Sequence, residues 1–128
     1  FSGARCSDGG VEGYVEGIIM PRPDWYCDDI LSGKLAVDKV WENNHVLAFH
    51  HPKPTAEIHI VVIPKKHIKS ILEPEALNGE LLSSMVLAIQ KTATKLELDK
   101  NGFYLRTNAA TDGVTPHMHW HIYGPGIP

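Results

Sequence analysis

The segment Pro116-His117-Met118-His119-Trp120-His121-Ile122-Tyr123-Gly124-Pro125, PHMHWHIYGP, decides how this chain folds. It sets three of the chain's eight histidines at strict two-residue intervals, with Met118 and Trp120 between them. A period of two belongs to an extended strand, in which alternate side chains share a face. His117, His119 and His121 therefore point one way, and Met118, Trp120 and Ile122 point the other way, into a core. The rise per residue of a strand spaces neighbouring histidine Cα atoms by roughly 6.6 Å and the outer two by about 13 Å.

The flanking sequence supplies partners for that strand. FYLRTN (103–108) reads as a strand, separated from the histidine row by the loop ATDGVT. EIHIVVIP (57–64) is rich in β-branched residues and reads as a buried strand ended by Pro64. AVDKVWE (36–42) and HVLAFH (45–50) read as two strands joined by a turn at Asn43-Asn44. Between Pro74 and about Asp99, Leu77, Leu81, Met85, Ile89, Ala93 and Leu96 recur at helical spacing, which predicts one long helix closed by Asn101-Gly102. Asn78-Gly79 lies inside that helix and weakens its first turn. Near the start, Asp24 can cap a short helix through Ile30-Leu31, with Gly33 supplying the stop. One short helix, three strands, a long helix and two strands call for an α+β domain built on a five-stranded, mostly antiparallel sheet.

Composition bounds the class. A chain of 128 residues suits one domain with a single core, and 43% hydrophobic with 21% charged residues is ordinary for a globular protein. The formal charge of −3 offers no basic excess to displace counterions from a nucleic acid. Lys65, Lys66 and Lys69 form only a local basic spot. No apolar run approaches the ~20 residues that span a bilayer, so no membrane is expected as a partner. Cys6 and Cys27 are too few for a disulfide scaffold, which fits a reducing, cytoplasmic compartment. Residues 1–22 read as an N-terminal extension without the apolar centre of a signal peptide, and residues 23–128 as the domain.

The row of imidazoles admits three readings. A His-x-His pair suits zinc, but the outer histidines lie too far apart to share one ion; two of them plus His59 could. No carboxylate or cysteine lies nearby in sequence to complete the set. The row could also be a solvated polar face. The third reading is catalytic: a neutral imidazole is a good nucleophile near neutral pH, and its neighbours can hold a phosphate and relay a proton.

HMHWHIY resembles the defining motif of the histidine triad superfamily of nucleotide hydrolases and transferases. The likeness extends to HVLAFHHPKPTAEIHIVVIPKKHI, to WYCDDILSG and to TNAATDG, together about residues 24–125. The PKKHI segment is most similar to the Hint-type branch of nucleoside phosphoramidases. The resemblance implies that His119 is the nucleophile, attacking the α-phosphorus of a purine nucleotide conjugate to form a nucleotidyl-histidine that water then releases. It implies that His121 binds a phosphate oxygen and that the carbonyl of His117 fixes the tautomer of His119. His59 matches a supporting histidine within reach of His117, or is simply a satisfied core residue. Asn108 matches a contact to the sugar and phosphate, or a plain loop cap. Tyr26, Ile30 and Phe49 match positions that enclose the base, or are ordinary core. His50, Gly113 and Thr115 complete the expected nucleotide-binding set. No cofactor is expected, and the family's two-fold homodimer is.

The departures from the family pattern carry their own expectations. His51 stands where the family has an acidic or amide group that bonds both ribose hydroxyls, so a bidentate clamp is lost. The family's Gly-Gln-Ser/Thr-Val-x-His run is here Gly113-Val114-Thr115-Pro116-His117, which removes a Gln and displaces the hydroxyl. That puts leaving-group protonation in question and leaves a weakly catalytic nucleotide-binding or scaffold protein, or a dinucleoside polyphosphate hydrolase, as alternatives. Many relatives hold zinc with a pair of cysteines at the first helix. Here Asp24 takes one of those places and only Cys27 remains, so no metal is expected.

Overall fold

Ile58–Pro64 forms β3, the middle strand of the sheet, because its β-branched run Ile60-Val61-Val62-Ile63 can bury both faces. The structure, a computed structural model, describes residues 25–110 and 115–126. The extension, Asp24 and Gly113 lie outside them. Lys39–Glu42 is β1, Val46–His50 is β2, Tyr104–Thr107 is β4 and Trp120–Gly124 is β5. The five strands run in the order β1-β2-β3-β5-β4, and every neighbouring pair is antiparallel. The α+β fold read from the sequence is the fold observed. Among the described residues no helix is long and apolar enough to cross a membrane.

The expected long helix is divided. Pro74–Leu77 is a 3₁₀ turn, Gly79–Lys95 is α1, and Leu98–Asn101 is the single-turn helix α2. Asn78 is the N-cap of α1, its side-chain oxygen accepting the Leu81 amide at 2.9 Å, a contact of the kind that stabilises by about 1 kcal/mol. Asn78-Gly79 therefore starts the helix and does not weaken its interior. Leu77, placed before the cap, is 82% exposed although its spacing marked it as core. Glu97, with φ at +59°, separates α1 from α2.

The two faces of the sheet do different work. Val46, Ala48, Ile60, Val62, Met118 and Ile122 pack against Leu81, Met85, Ala88 and Ala93 of α1, with Trp120 half-buried at the edge of that cluster. Leu47, Phe49, Val61 and Ile63 face the other way, under Tyr26 and Ile30 of the opening helix. That helix, Tyr26–Leu31, is a π-helix, a rare form that is frequent at functional sites. The regular strand β5 begins only at Trp120, so His117 and His119 lie on the approach to it. Gly124 ends β5 where a Cβ would sit 2.7 Å from Leu98 Cδ2 and 3.3 Å from the Gly102 carbonyl oxygen, so a side chain there would crowd Leu98 of α2 and force it to shift.

Candidate active site

His117, His119 and His121 are all buried, at 0%, 4% and 7% exposure, on the sheet face opposite α1. The segment that follows β3 anchors the start of this row. The Pro64 carbonyl lies 2.9 Å from His117 Nε2, and the Ile68 carbonyl accepts the Met118 amide at 2.6 Å. The Thr107 hydroxyl of β4 donates to the His119 carbonyl at 2.8 Å. Backbone hydrogen bonds from both sides thus fix the row before any ligand arrives.

Backbone groups also dictate which nitrogen of each ring carries the proton. A carbonyl can only accept, so His117 carries hydrogen on Nε2, and His119 carries it on Nδ1, 2.6 Å from the His117 carbonyl. The lone pair of His119 is therefore on Nε2. The Thr55 amide donates to His59 Nδ1 at 3.2 Å, which places the hydrogen of neutral His59 on Nε2. That hydrogen meets His121 Nδ1 at 2.8 Å and leaves His121 with its own N–H on Nε2. The Lys53 amide donates to His51 Nδ1 at 2.9 Å, so His51 too presents only an N–H. Two backbone amides in the loop 51–57 set the polarity of three rings.

Register places His59 differently from the expectation. Val61 lies opposite His121, and His59 lies opposite Tyr123. His59 is hydrogen-bonded to His121, while His117 is occupied by Pro64. Burial pushes His59 down to about 4 and His121 down to about 3, helped by the neighbouring imidazoles and by Arg106. Both stay neutral near pH 7, as the donor chain requires. Burial also lowers His51 and raises the Tyr123 phenol.

The other expected residues divide by face. Phe49 and Ile30 are buried beneath Tyr26, whose ring centroid is 5.0 Å from that of His119. His51 stacks on His59 at 4.5 Å. Asn108 is half-buried just beyond β4, and Thr115 accepts the His117 amide through its carbonyl at 2.8 Å. His50 is paired with Ile60, whose side chain belongs to the cluster under α1. Strand alternation therefore turns His50 away from the triad, which corrects its assignment to the nucleotide-binding set.

Several neighbours were missed. Tyr123 continues the alternation of the triad, stacks on Tyr104 at 4.8 Å and lies tilted against His59 at 4.4 Å. Alternation beyond the third histidine was the signal. Trp25 lies 5.8 Å from His51. Cys27 Sγ, His67 Nδ1 and His117 Nδ1 lie within 4.8 Å of one another, a donor set that suits zinc in type. Cys27 is disulfide-bonded, and the metal-binding form of cysteine is the thiolate, so these residues fit the ion only after reduction.

Comparison with known proteins places the chain in a family. The family model of the HIT domain matches residues 33–126. An uncharacterized HIT-like protein of Buchnera aphidicola is 34% identical over 74% of this chain and 87% of its own length. A HIT family hydrolase from Clostridium thermocellum superposes with a TM-score of 0.69 at 30% identity, covering 77% of this chain and 87% of that one. A histidine triad nucleotide-binding protein from Candida albicans gives a TM-score of 0.64 at 25% identity, over 78% and 80% of the two chains.

The depressed histidines make stability depend on pH. A histidine with a folded pKa below its unfolded value binds fewer protons when folded, so acid favours the unfolded chain. The stabilisation is complete above about pH 6.5 and is lost as pH falls toward about 4 for His59 and about 3 for His121. Thermal melts followed from neutral pH downward should show a midpoint that falls steadily below about pH 6.5. A midpoint that rises on acidification would contradict the neutral assignment.

Proposed function

We propose that this chain, which belongs to the HIT domain family, is a hydrolase of purine nucleotide conjugates that acts at the α-phosphorus. Conjugates joined through nitrogen or an acyl oxygen, phosphoramidates and acyl-nucleotides, are the substrates we infer. Family membership and the likeness to a HIT family hydrolase support a hydrolase-type enzyme; the likeness to a nucleotide-binding protein of Candida albicans supports the nucleotide. The observation that carries the chemistry is the 2.6 Å hydrogen bond from His119 Nδ1 to the His117 carbonyl, which leaves Nε2 as the unprotonated nitrogen.

In this reading His119 Nε2 donates its lone pair to phosphorus, and the bond from phosphorus to the leaving group breaks with its electron pair. The leaving group takes up a proton from solvent. The Nε2–H of His121 holds a phosphate oxygen as charge develops on it, the role for which its tautomer is set by His59. Water then adds to phosphorus and gives up a proton to solvent, the P–N bond breaks with its electron pair returning to Nε2, and the nucleoside monophosphate departs with His119 neutral again. Tyr26, Phe49 and Ile30 give the base an apolar wall, and Trp25 extends it beside His51.

Three outcomes test this reading. His119→Ala should abolish turnover of a fluorogenic adenosine phosphoramidate, and His121→Ala should cost roughly 10²- to 10³-fold. Rapid acid quench with labelled substrate should trap label on the wild-type protein through an acid-labile bond; turnover without that adduct, or turnover lost with chelator, would overthrow the covalent route. Because His51 offers one donor and no acceptor, AMP and dAMP should bind within about tenfold of each other, or ~1.4 kcal/mol. A larger preference for ribose would mean that another group replaces the clamp.

Assembly belongs to the same reading. Strand β4 is an edge of the sheet, Leu105 on it is 45% exposed, and Val86 and Leu87 of α1 are exposed as well. A second copy would cover both, as a two-fold interface does. Light scattering should give twice the 14.2 kDa of one chain, and a monomer at micromolar concentration would refute it.

A further inference from the structure

Arg106 is the cation of β4 that the antiparallel register sets opposite His121. Directly paired residues share a face and have Cβ atoms about 5 Å apart, so Arg106 rises beside the triad and not toward α1. Its Nη2 donates to the Tyr123 hydroxyl at 2.7 Å, and its guanidinium carbon lies 5.1 Å from the centre of that ring. Tyr123 is itself buried and held between His59 and Tyr104. Arg106 is thus exposed but pinned, and among the described residues no carboxylate forms an ion pair with it. One donor of its planar fork is used by Tyr123, and the others remain for a ligand.

Position gives this charge a meaning. Phe49, His51, Trp25 and Tyr26 lie on the β2 side of β5, where the proposed nucleoside would sit. Arg106 lies on the β4 side, across His121 from them. A phosphorus held between His119 and His121, with its nucleoside toward β2, presents its other substituent toward β4.

We propose that Arg106 is a specificity-determining residue that binds negative charge on the leaving group, so that the site selects conjugates whose second substituent carries a phosphate or a carboxylate. The assignment rests on the hydrolase reading for the direction in which the substrate lies. A guanidinium fixed by an aromatic ring and a hydroxyl loses little freedom when it forms a second, charge-assisted pair, which is why a pinned arginine is worth more here than a mobile lysine. The field of Arg106 already reaches the triad, since it helps to hold His121 and His59 neutral.

The experiment compares two phosphoramidates of AMP that differ by one carboxylate, the tryptamine and tryptophan conjugates, and in parallel measures binding of AMP and ADP by calorimetry. Wild type should favour the tryptophan conjugate in kcat/KM, and ADP over AMP in affinity, each by about tenfold. Arg106→Gln should reduce both ratios to within about twofold of one, and Arg106→Lys should retain part of each. Loss of the carboxylate preference alone, or of the phosphate preference alone, would identify which anion Arg106 reads. Equal ratios in wild type and Arg106→Gln would overturn the proposal. If neither conjugate turns over but ADP still outbinds AMP through Arg106, the hydrolase reading fails and the anion site stands; if the ADP preference is also missing, both fall.

Discussion

A neutral imidazole has two nitrogens and one proton, and that constraint governs this site. Bury several such rings together and each nitrogen must be told whether to donate or accept. The chain answers with backbone groups, which cannot change their minds: the carbonyls of Pro64 and His117 accept, and the amides of Lys53 and Thr55 donate. From those four contacts follow the lone pair of His119 and the outward N–H groups of His51 and His121. Side chains supply the chemistry, while the polypeptide fixes its direction.

The sheet makes this possible by dividing labour between its faces. Under α1 it is a conventional apolar core, with Val46, Ile60, Val62, Met85, Met118 and Ile122 at 0% or 1% exposure. The opposite face carries rings that are equally buried but hydrogen-bonded. A strand such as HMHWHIY must satisfy both environments at once, so its alternation is set by two neighbours with opposite demands. Trp120 shows the compromise: its position obeys the pattern, yet the edge of the cluster leaves it half-buried.

Much of this was legible in the residues. Alternation in the histidine row, the β-branched run of β3 and the Asn43-Asn44 turn give the strands, and helical spacing gives α1. The places that were not legible share a physical cause. Asn78-Gly79 can weaken a helix or begin one, and the choice depends on whether the Asn side chain finds the Leu81 amide. The partner of His59 depends on register between β3 and β5, which hydrophobic patterning fixes only to within an even number of residues. His50 is an ordinary histidine in sequence, and only its pairing with Ile60 reveals which face it takes. The resemblance announced only the His117 carbonyl; the other tautomers rest on the Pro64 carbonyl and two loop amides, groups that nearly every residue has, so no side-chain pattern could announce them.

The packed rings of His51, His59, Tyr123 and Tyr104 run across the strands at one level, with centroids 4.5, 4.4 and 4.8 Å apart. A slip of β3 past β5 by two residues would keep every side chain on its own face and could rebuild the backbone ladder. It would also slide His59 off Tyr123 by roughly 6.6 Å, more than the width of an imidazole. The row of rings is in this sense a vernier: it measures the axial position of one strand against the next in steps that the apolar pattern cannot resolve, and so holds His59 level with the nitrogen of His121 that it must meet.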